Sequence, residues 1–552
     1  MTSNTAASAA IATDSFGSAR RWLALIVISL AVSIIIVDST IVNVAIPSIV
    51  DDLGITSSEV QWVQESYTLV FASFLLAFGT IADRYGRRLV LVSGVVVFTL
   101  ASVLAMVADS GETLILARLV QGIGGAMMLP TTLSLINANY TGRARGIAFA
   151  VWGSTIGGMA AVGPLLGGWL TTYYSWHWAF GINLPIGVLI IVGLLLLVPE
   201  SKNPLRLSPD LVGALLSVLT FAPLVFGLIE GRTLGWWKLD GSFSFGDWTW
   251  QSELSPVPFA FALAVLAGLL FVLWCRSRER AGKSSMLAFE LFKISSFRNG
   301  NIAALIVSLG EFGLIFALPL WLQNVLGYDA LQTGFVLLAL AGGSFVASGF
   351  VGATSGKVAP ITVVRLGLGL EILGLLVVAA VVSSSTPWWL IALGLFLYGI
   401  GVGFATAQLT NVVLVEVPLA QSGQGSGTQS TARQIGSALG IAILGTVLFS
   451  SLGGLLGAKL DEQGATPEAR DQVVNVVVDS AGSAIPALEA QLTPTLGSDQ
   501  AAQISQDAKD SLSTATQFAA LTAAGFLVFG LLATASLGKP RRETERRSAP
   551  SA

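Results

Sequence analysis

The sequence predicts an all-α polytopic membrane protein with fourteen transmembrane helices, and three observations carry that expectation. The first is composition. Of 552 residues, 53% are hydrophobic and only 11% are charged, against roughly 25% charged in an ordinary soluble domain. The excess apolar surface needs a solvent other than water, and a bilayer provides it. The second is the succession of long apolar runs. The third is the alternation of loop charge from one run to the next. The same composition excludes other classes. A net charge of −3 gives no basis for nucleic-acid binding. Cys275 and His177 are the only residues of their types, so an internal disulfide, a cysteine-rich metal site and a histidine cluster are ruled out. No phosphate-cradling loop, metal cluster or nucleophile–base pair points to an enzyme, and no cofactor is expected.

Taken in order, residues 1–21 are a small polar tail without the pattern of a cleaved signal peptide. Apolar runs follow at about 22–47, 60–82, 89–108, 112–137, 144–170, 177–199, 211–231 and 256–275. Six more lie at about 298–325, 331–354, 361–383, 387–415, 429–451 and 516–537. Each is near the ~20 residues that a helix needs to cross the hydrocarbon core. Glycine, with 60 residues, suits close helix packing in lipid. An even number of spans places both termini on one side. Arg20 and Arg21 precede span 1; Arg84, Arg87 and Arg88 follow span 2; Arg143 and Arg145 follow span 4; Lys202 and Arg206 follow span 6. Arg276, Arg278, Arg280 and Lys283 follow span 8, Lys357 follows span 10, and Arg541, Arg542, Arg546 and Arg547 lie in the 538–552 tail. All fall on one side, which the positive-inside rule assigns to the cytoplasm. The opposite loops carry Asp51, Asp52, Glu59, Asp109 and Glu112. Two outer loops are long. Residues 232–255 contain Trp236, Trp237, Trp248 and Trp250, which read as interfacial anchors. Residues 452–515 form an acidic, water-exposed insert, expected as short amphipathic helices or partly ordered coil.

Four stretches carry a family likeness. Span 1 holds Asp38-Ser39-Thr40-Ile41-Val42-Asn43 and ends near Pro47. The next loop reads Gly79-Thr80-Ile81-Ala82-Asp83-Arg84-Tyr85-Gly86-Arg87-Arg88. Span 4 holds Arg118-Leu119-Val120-Gln121-Gly122-Ile123-Gly124-Gly125, and span 5 holds Gly153, Gly157 and Gly163-Pro164-Leu165-Leu166-Gly167-Gly168. Together they resemble the major facilitator superfamily and, within it, the fourteen-span drug:proton antiporters. The resemblance implies a major-facilitator-type fold: a six-helix half over 22–200, two extra helices with their loops over 201–297, and a second six-helix half over 298–537. It also implies a conformational latch at Gly79, Asp83, Arg84, Gly86 and Arg87, and an antiporter helix marked by Gly153, Gly157, Gly163, Pro164, Gly167 and Gly168. The residues support these roles independently. Glycines four apart share a helix face and admit a close neighbour, and Pro164 bends its helix. The second-half counterpart of the charged loop, Gly352 to Lys357 with Arg365, lacks the aspartate.

Charges inside spans are costly and usually functional. Asp38 is roughly 14 Å, Glu65 roughly 8 Å and Arg118 roughly 9 Å from the outer surface at 1.5 Å per residue. The three are expected to meet in the outer half of the bundle, where proton uptake and cation binding would compete for one carboxylate. A stabilising buried ion pair is the other reading. Glu311, mid-way along span 9, is the fourth coupling candidate. Glu371 in span 11 reads as structural or lipid-interfacial, Glu230 as near the outer end of span 7, and Arg433 as an anchor opening span 13. Aromatic surface suits a hydrophobic cation; Trp62, Tyr67, Trp152, Phe312, Phe316 and Tyr398 are cavity candidates, as are the polar Gln408 and Asn411. Phe71, Trp321 and Phe404 extend the aromatic set.

The expected function is export of cationic or amphiphilic small molecules in exchange for protons, by a multi-pass protein of the cell membrane with both termini cytoplasmic. Its partners are the substrate, protons and lipid. Export of one metabolite, such as a diamine, amino acid, siderophore or lipid, is the alternative within transport. A channel is the alternative of another class.

Overall fold

A chain this apolar keeps its backbone bonded in lipid only by forming helices, and the computed structural model is helical almost throughout. It describes residues 18–55, 57–203, 208–231, 233–240, 243–245, 248–354 and 357–537. Residues 1–17 and the 538–552 tail, with its four arginines, lie outside that set, as do the side chains of Phe312 and Phe316. The long helices are α1 (Ser18–Leu53), α2 (Ser57–Tyr85), α3 (Arg87–Met106), α4 (Gly111–Asn139), α5 (Gly142–Tyr173), α6 (His177–Leu197, interrupted at Ile182), α7 (Leu211–Glu230) and α8 (Pro256–Arg280). They continue as α9 (Ser295–Asn324), α10 (Ala330–Thr354), α11 (Pro360–Val381), α12 (Trp388–Leu414), α13 (Ser422–Glu462) and α14 (Ser498–Ala533). Among the described residues, thirteen of these are long and apolar enough to cross a membrane; α9, with 30 residues, is the remaining one. Strand is confined to a two-residue hairpin, Ser244–Phe245 against Trp248–Thr249. Successive helices alternate in direction. The face holding Ser18 is called the N-terminal face below, and the loops after α2, α4, α6, α8, α10 and α12 lie on it.

The first six helices pack on one another, α1 against α5 and α6, and α4 against α2 and α3; the last six repeat the pattern, α9 against α13 and α14, and α12 against α10 and α11. The two sets cross in equivalent ways. A Cβ on Gly124 of α4 would lie 2.7 Å from the Phe98 nitrogen and 2.9 Å from the Gly94 oxygen of α3. A Cβ on Gly401 of α12 would lie 2.5 Å from the Glu371 nitrogen and 2.6 Å from the Gly367 oxygen of α11. The absence of side chains lets each helix pair touch backbone to backbone. Between the sets, α5 packs on α10 and α12, and α13 packs on α2 and α4.

The two intervening helices, α7 and α8, pack on each other, and α7 also packs on α2 and α13. Leu211, Leu263, Leu266 and Leu273 remain exposed on them, an apolar outer face that suits lipid. In the loop between them, Trp236 stacks on Phe261 at 6.4 Å and Trp237 is exposed.

The 452–515 insert holds two of the expected short helices, but the flanking long helices also extend into it. The helix α13 runs on to Glu462, α14 begins at Ser498, and two helices, Pro467–Asp479 and Ile485–Leu496, lie between. Hydropathy underestimates both long helices because their extensions are amphipathic. Leu452, Leu456 and Leu460 on α13, and Ile504, Ala508 and Leu512 on α14, recur every four residues and bury one face. Val477, Ile485 and Leu488 complete that core. Part of the acidity is neutralised locally, by Lys459 with Asp507 at 3.1 Å and by Arg470 with Asp471 at 2.8 Å and Asp461 at 3.2 Å.

The alternation of helices predicts that Glu468→Cys and Lys283→Cys, each in a Cys275→Ser background, react with a membrane-impermeant thiol reagent from opposite sides of sealed vesicles. Labelling from the same side would contradict the count of helices between them.

Candidate functional site

Two buried carboxylate–arginine pairs lie on the first helix of each six-helix set. In the first, Asp38 of α1 and Arg118 of α4 stand 2.5 Å apart, both essentially inaccessible. The other oxygen of Asp38 accepts from Gln121 Nε2 at 3.0 Å and Asn183 Nδ2 at 2.8 Å. Both amides also donate to Ser102 Oγ, at 2.7 and 3.1 Å. Arg118 donates to the Val63 carbonyl at 3.1 Å and to Gln121 Oε1 at 2.9 Å. Its guanidinium lies 4.3 Å from the centre of the Tyr67 ring, which stacks on Phe71. Five helices thus hold one ion pair with its hydrogen-bonding capacity used, the condition under which buried charge is tolerated.

In the second pair, Glu311 of α9 accepts from Thr406 Oγ1 of α12 at 2.7 Å and from Arg433 Nη2 of α13 at 3.3 Å. Tyr398 OH donates to the Glu311 carbonyl at 3.1 Å. Arg433 is a correction to the sequence reading. It does not open its span, because α13 starts at Ser422 and the eleven intervening residues carry Arg433 roughly 16 Å inward. Those first turns are small and polar, so they leave no hydropathy signal. Glu371 is likewise not lipid-interfacial: it is fully buried and within electrostatic reach of Glu311 and Arg433.

At the N-terminal face, α2 and α13 meet through glycines. Gly79 abuts the Gly423 oxygen and the Gly427 backbone. One turn on, Asp83 accepts from the backbone nitrogens of Gly423 at 2.8 Å and Gln424 at 2.9 Å. These are unpaired donors of the first turn of α13, where the helix dipole favours an anion. Arg87 joins Asp83 at 2.6 Å, and donates to Ser201 Oγ at 2.6 Å and the Leu419 carbonyl at 2.5 Å. Arg87 is therefore a buried part of this contact between α2 and α13, whereas Arg84 rests over the Tyr85 ring at 5.0 Å. Gly86 has φ 127°, a conformation that glycine adopts readily, and a Cβ there would strike the Glu200 carboxylate at 2.7 Å. Further bonds join the two sets nearby: Asn137 to Ser422 at 2.9 Å, Arg145 to Asn411 at 3.2 Å and Gln408 to the Gly146 carbonyl at 3.2 Å.

The glycines of α5 divide between two neighbours. Gly153 meets Ala407 of α12 and Gly157 meets Ser344 of α10, while Gly163 and Gly167 meet Thr40 and Ile41 of α1. Gly168 approaches Leu331, and Pro164 lies within the helix. Ser154 Oγ donates to the Ser344 carbonyl at 2.8 Å. One helix therefore touches the first charged helix on one side and the opposite set on the other.

Other expectations need correction. Glu65 does not share the face of α2 that meets Arg118; it lies roughly 160° round the helix from both Val63 and Tyr67. It falls instead on the stripe of Ala72, Leu76, Gly79 and Asp83, which turns toward α13 nearer the N-terminal face, and it is only partly buried. Depth alone grouped it with Asp38, and azimuth separates them. Trp152 is buried and donates to Thr132 Oγ1 at 3.1 Å. Tyr67 and Tyr398 are buried supports of the two pairs. Gln408 and Asn411 belong to the closed contact between the sets, and Asn411 also donates to Gln408 Oε1 at 3.2 Å. Trp62 is half-buried. Trp321 is buried against Ser513, and Phe404 against Phe350. The sequence reading missed Ser102, Gln121, Asn183 and Thr406 as partners. A polar amide within an apolar run was the available signal for Gln121 and Asn183.

Comparison with known proteins identifies the family. The profile described as Major Facilitator Superfamily matches residues 28–441. The "Multidrug efflux pump LfrA" of Mycolicibacterium smegmatis is 32% identical over 88% of this chain and 91% of its own. The "Multidrug resistance protein Stp" of Mycobacterium tuberculosis is 32% identical over 84% and 82%. The "Probable actinorhodin transporter" of Streptomyces coelicolor is 34% identical over 80% and 75%. Among solved structures, the human organic anion transporter MFSD10 has a TM-score of 0.53 at 14% identity, covering 94% of this chain and 98% of its own. That likeness speaks for the fold alone.

Removing the anion from the latch should loosen the N-terminal face. Asp83→Asn leaves the buried Arg87 without its counter-charge, a change that costs about 3–5 kcal/mol when a buried pair is broken. Disulfide cross-linking between Tyr85→Cys and Leu419→Cys, in a Cys275→Ser background, should fall in this variant. Undiminished cross-linking would show that the latch does not depend on Asp83.

Proposed function

Because the chain belongs to the Major Facilitator Superfamily, among its drug-efflux members, we propose that it exports cationic or amphiphilic small molecules from the cell in exchange for protons. The observation that carries the proposal is that, in both six-helix sets, a buried carboxylate on the first helix pairs with an arginine from another helix. Each pair is neutral as it stands. Protonating Asp38 or Glu311 releases an arginine from its partner in a place where an unpaired cation is unfavourable. The helices carrying the two groups must then rearrange, which couples a proton to a change of shape.

The N-terminal face takes the cytoplasmic side in this reading, since the basic loops lie there. The latch of Asp83, Arg87 and the first turn of α13 closes that side, so the conformation described above is one from which cargo leaves outward. Glu65, on the stripe of α2 that turns to the opposite set, meets cargo between the sets. Its charge, with Trp62 beside it, favours a cation with aromatic or apolar surface. The sets are related as transporter repeats are, with the site between them. When the latch opens, substrate enters from the cytoplasm; when it closes, protons from outside reach the carboxylates and displace the cargo.

A second reading rests on relatives named for single natural products, the "Probable actinorhodin transporter" and the "Tetracenomycin C resistance and export protein". It makes the cargo one such product.

In proteoliposomes, Asp38→Asn and Glu311→Gln should each reduce substrate-driven proton flux by about 100-fold, the scale set by losing a positioned proton carrier, with folded protein retained on size-exclusion chromatography. Wild-type flux in both variants would remove these carboxylates from the exchange. Screening organic cations against neutral and anionic amphiphiles in the same assay separates the two readings of the cargo.

A further inference from the structure

The carboxyl group of Glu371 has no part in the pairs described above. It lies eleven residues into α11, fully buried, and neither oxygen has a hydrogen-bond partner among the described residues. Two helices, α12 and α14, pack on α11, and groups of two more, α9 and α13, lie within electrostatic reach of the Glu371 carboxyl. The α12 helix contributes Tyr398 and the bare backbone of Gly401, α9 contributes Glu311, and α13 contributes Arg433. The other helix packed on α11, α14, holds no titratable side chain between Ser511 and Ala533.

The repeat supplies an internal comparison. Gly124 crosses α3 at Gly94 and Phe98, and Gly401 crosses α11 at Gly367 and Glu371. Glu371 thus occupies the position that Phe98 fills in the first set, where Phe98 is fully buried. Packing at that position is satisfied by an apolar side chain. A carboxyl group without a donor is an expensive replacement for it, and ionisable groups retained at such expense in a membrane interior are functional by default.

Charge counting decides the state of the cluster. Two buried carboxyl groups face one largely buried guanidinium, so the group is neutral overall only when it holds one proton. The Glu311 oxygens receive the donors of Thr406 and Arg433, which support the ionised form. Of the two carboxyl groups, Glu371 is the one whose oxygens receive no donor, which makes it the better seat for that proton.

We propose that Glu371 is a second proton carrier of the exchange, a reservoir that passes its proton to Glu311. The inference rests on the antiport reading given above. In the transfer, the O–H bond of Glu371 breaks and one forms on a Glu311 oxygen. The negative charge moves to Glu371, and Arg433 remains charged and turns to it. Glu311, now neutral, no longer holds Arg433 beside Thr406, and α13, which also carries the latch at its first turn, is released from α9. A proton from outside then recharges the cluster.

Infrared spectroscopy of the purified full-length protein reads the first half of this without transport. The expected result is a carbonyl stretch of a protonated, weakly hydrogen-bonded carboxyl group at neutral pH. It should disappear in Glu371→Gln and in Glu371→Leu, the second variant guarding against a misfolded first. Absence of the band from wild type, or its survival in both variants, overturns the proposal. Flux in proteoliposomes reads the second half. Wild-type export should depend on external pH, and both variants should lose that dependence while retaining substrate binding. An unaltered pH profile overturns the relay. A protein that shows the band yet moves no protons sinks the antiport reading and the relay with it. Proton flux without the band sinks the relay alone.

Discussion

Arg118 and Asp38 sit 2.5 Å apart in a place where neither charge could remain alone. The surrounding fold is arranged around that constraint. Gln121, Asn183 and Ser102 use up the second carboxylate oxygen, the Val63 carbonyl takes the guanidinium Nε, and Tyr67 covers the guanidinium face. Each contact comes from a different helix or turn, so the pair also fixes how α1, α2, α3, α4 and α6 are rotated against one another. Glu311 and Arg433 impose the same condition on α9, α12 and α13. A protein whose helix packing depends on ionisation in this way has little room to stay unchanged when a proton arrives.

The latch answers a different requirement. The first turn of any helix leaves backbone donors unpaired, and burying those of α13 against the other half would be costly without an acceptor. Asp83 supplies it from across the interface, and Arg87 balances the resulting charge. The contact is specific, since Gly79, Gly423 and Gly427 allow the backbones to meet only in that register. It is also reversible, because both partners are polar and can be rehydrated when the face opens. The α5 helix touches both regions. Its glycines touch Thr40 and Ile41, which follow Asp38 within one helical turn, and Ala407, which adjoins Thr406.

The halves resemble one another in backbone and differ in chemistry. The Gly94–Gly124 and Gly367–Gly401 crossings match. Yet the first half draws its arginine from its fourth helix and the second draws it from its fifth, and Phe98 gives way to Glu371. Packing constrains the shared glycines, whereas the charged positions are free to diverge, so asymmetry between the halves collects at the buried charges.

Much of the fold was legible in the sequence. Apolar runs, basic loops on one side and glycines four apart are local properties, written in composition and spacing, and they determined the helices, their alternation and the membrane. The presence of costly charges inside spans marked Asp38, Arg118 and Glu311 for the same reason. What only the tertiary structure decided is how helices distant in sequence are rotated and staggered. That rotation joins Asp38 to Arg118 and turns Glu65 to another face of α2. The stagger of α13, whose polar first turns hydropathy cannot see, carries Arg433 down to Glu311 and Glu371. Hydropathy measures how much apolar surface a segment has, whereas pairing depends on direction, and direction is settled only when the helices pack.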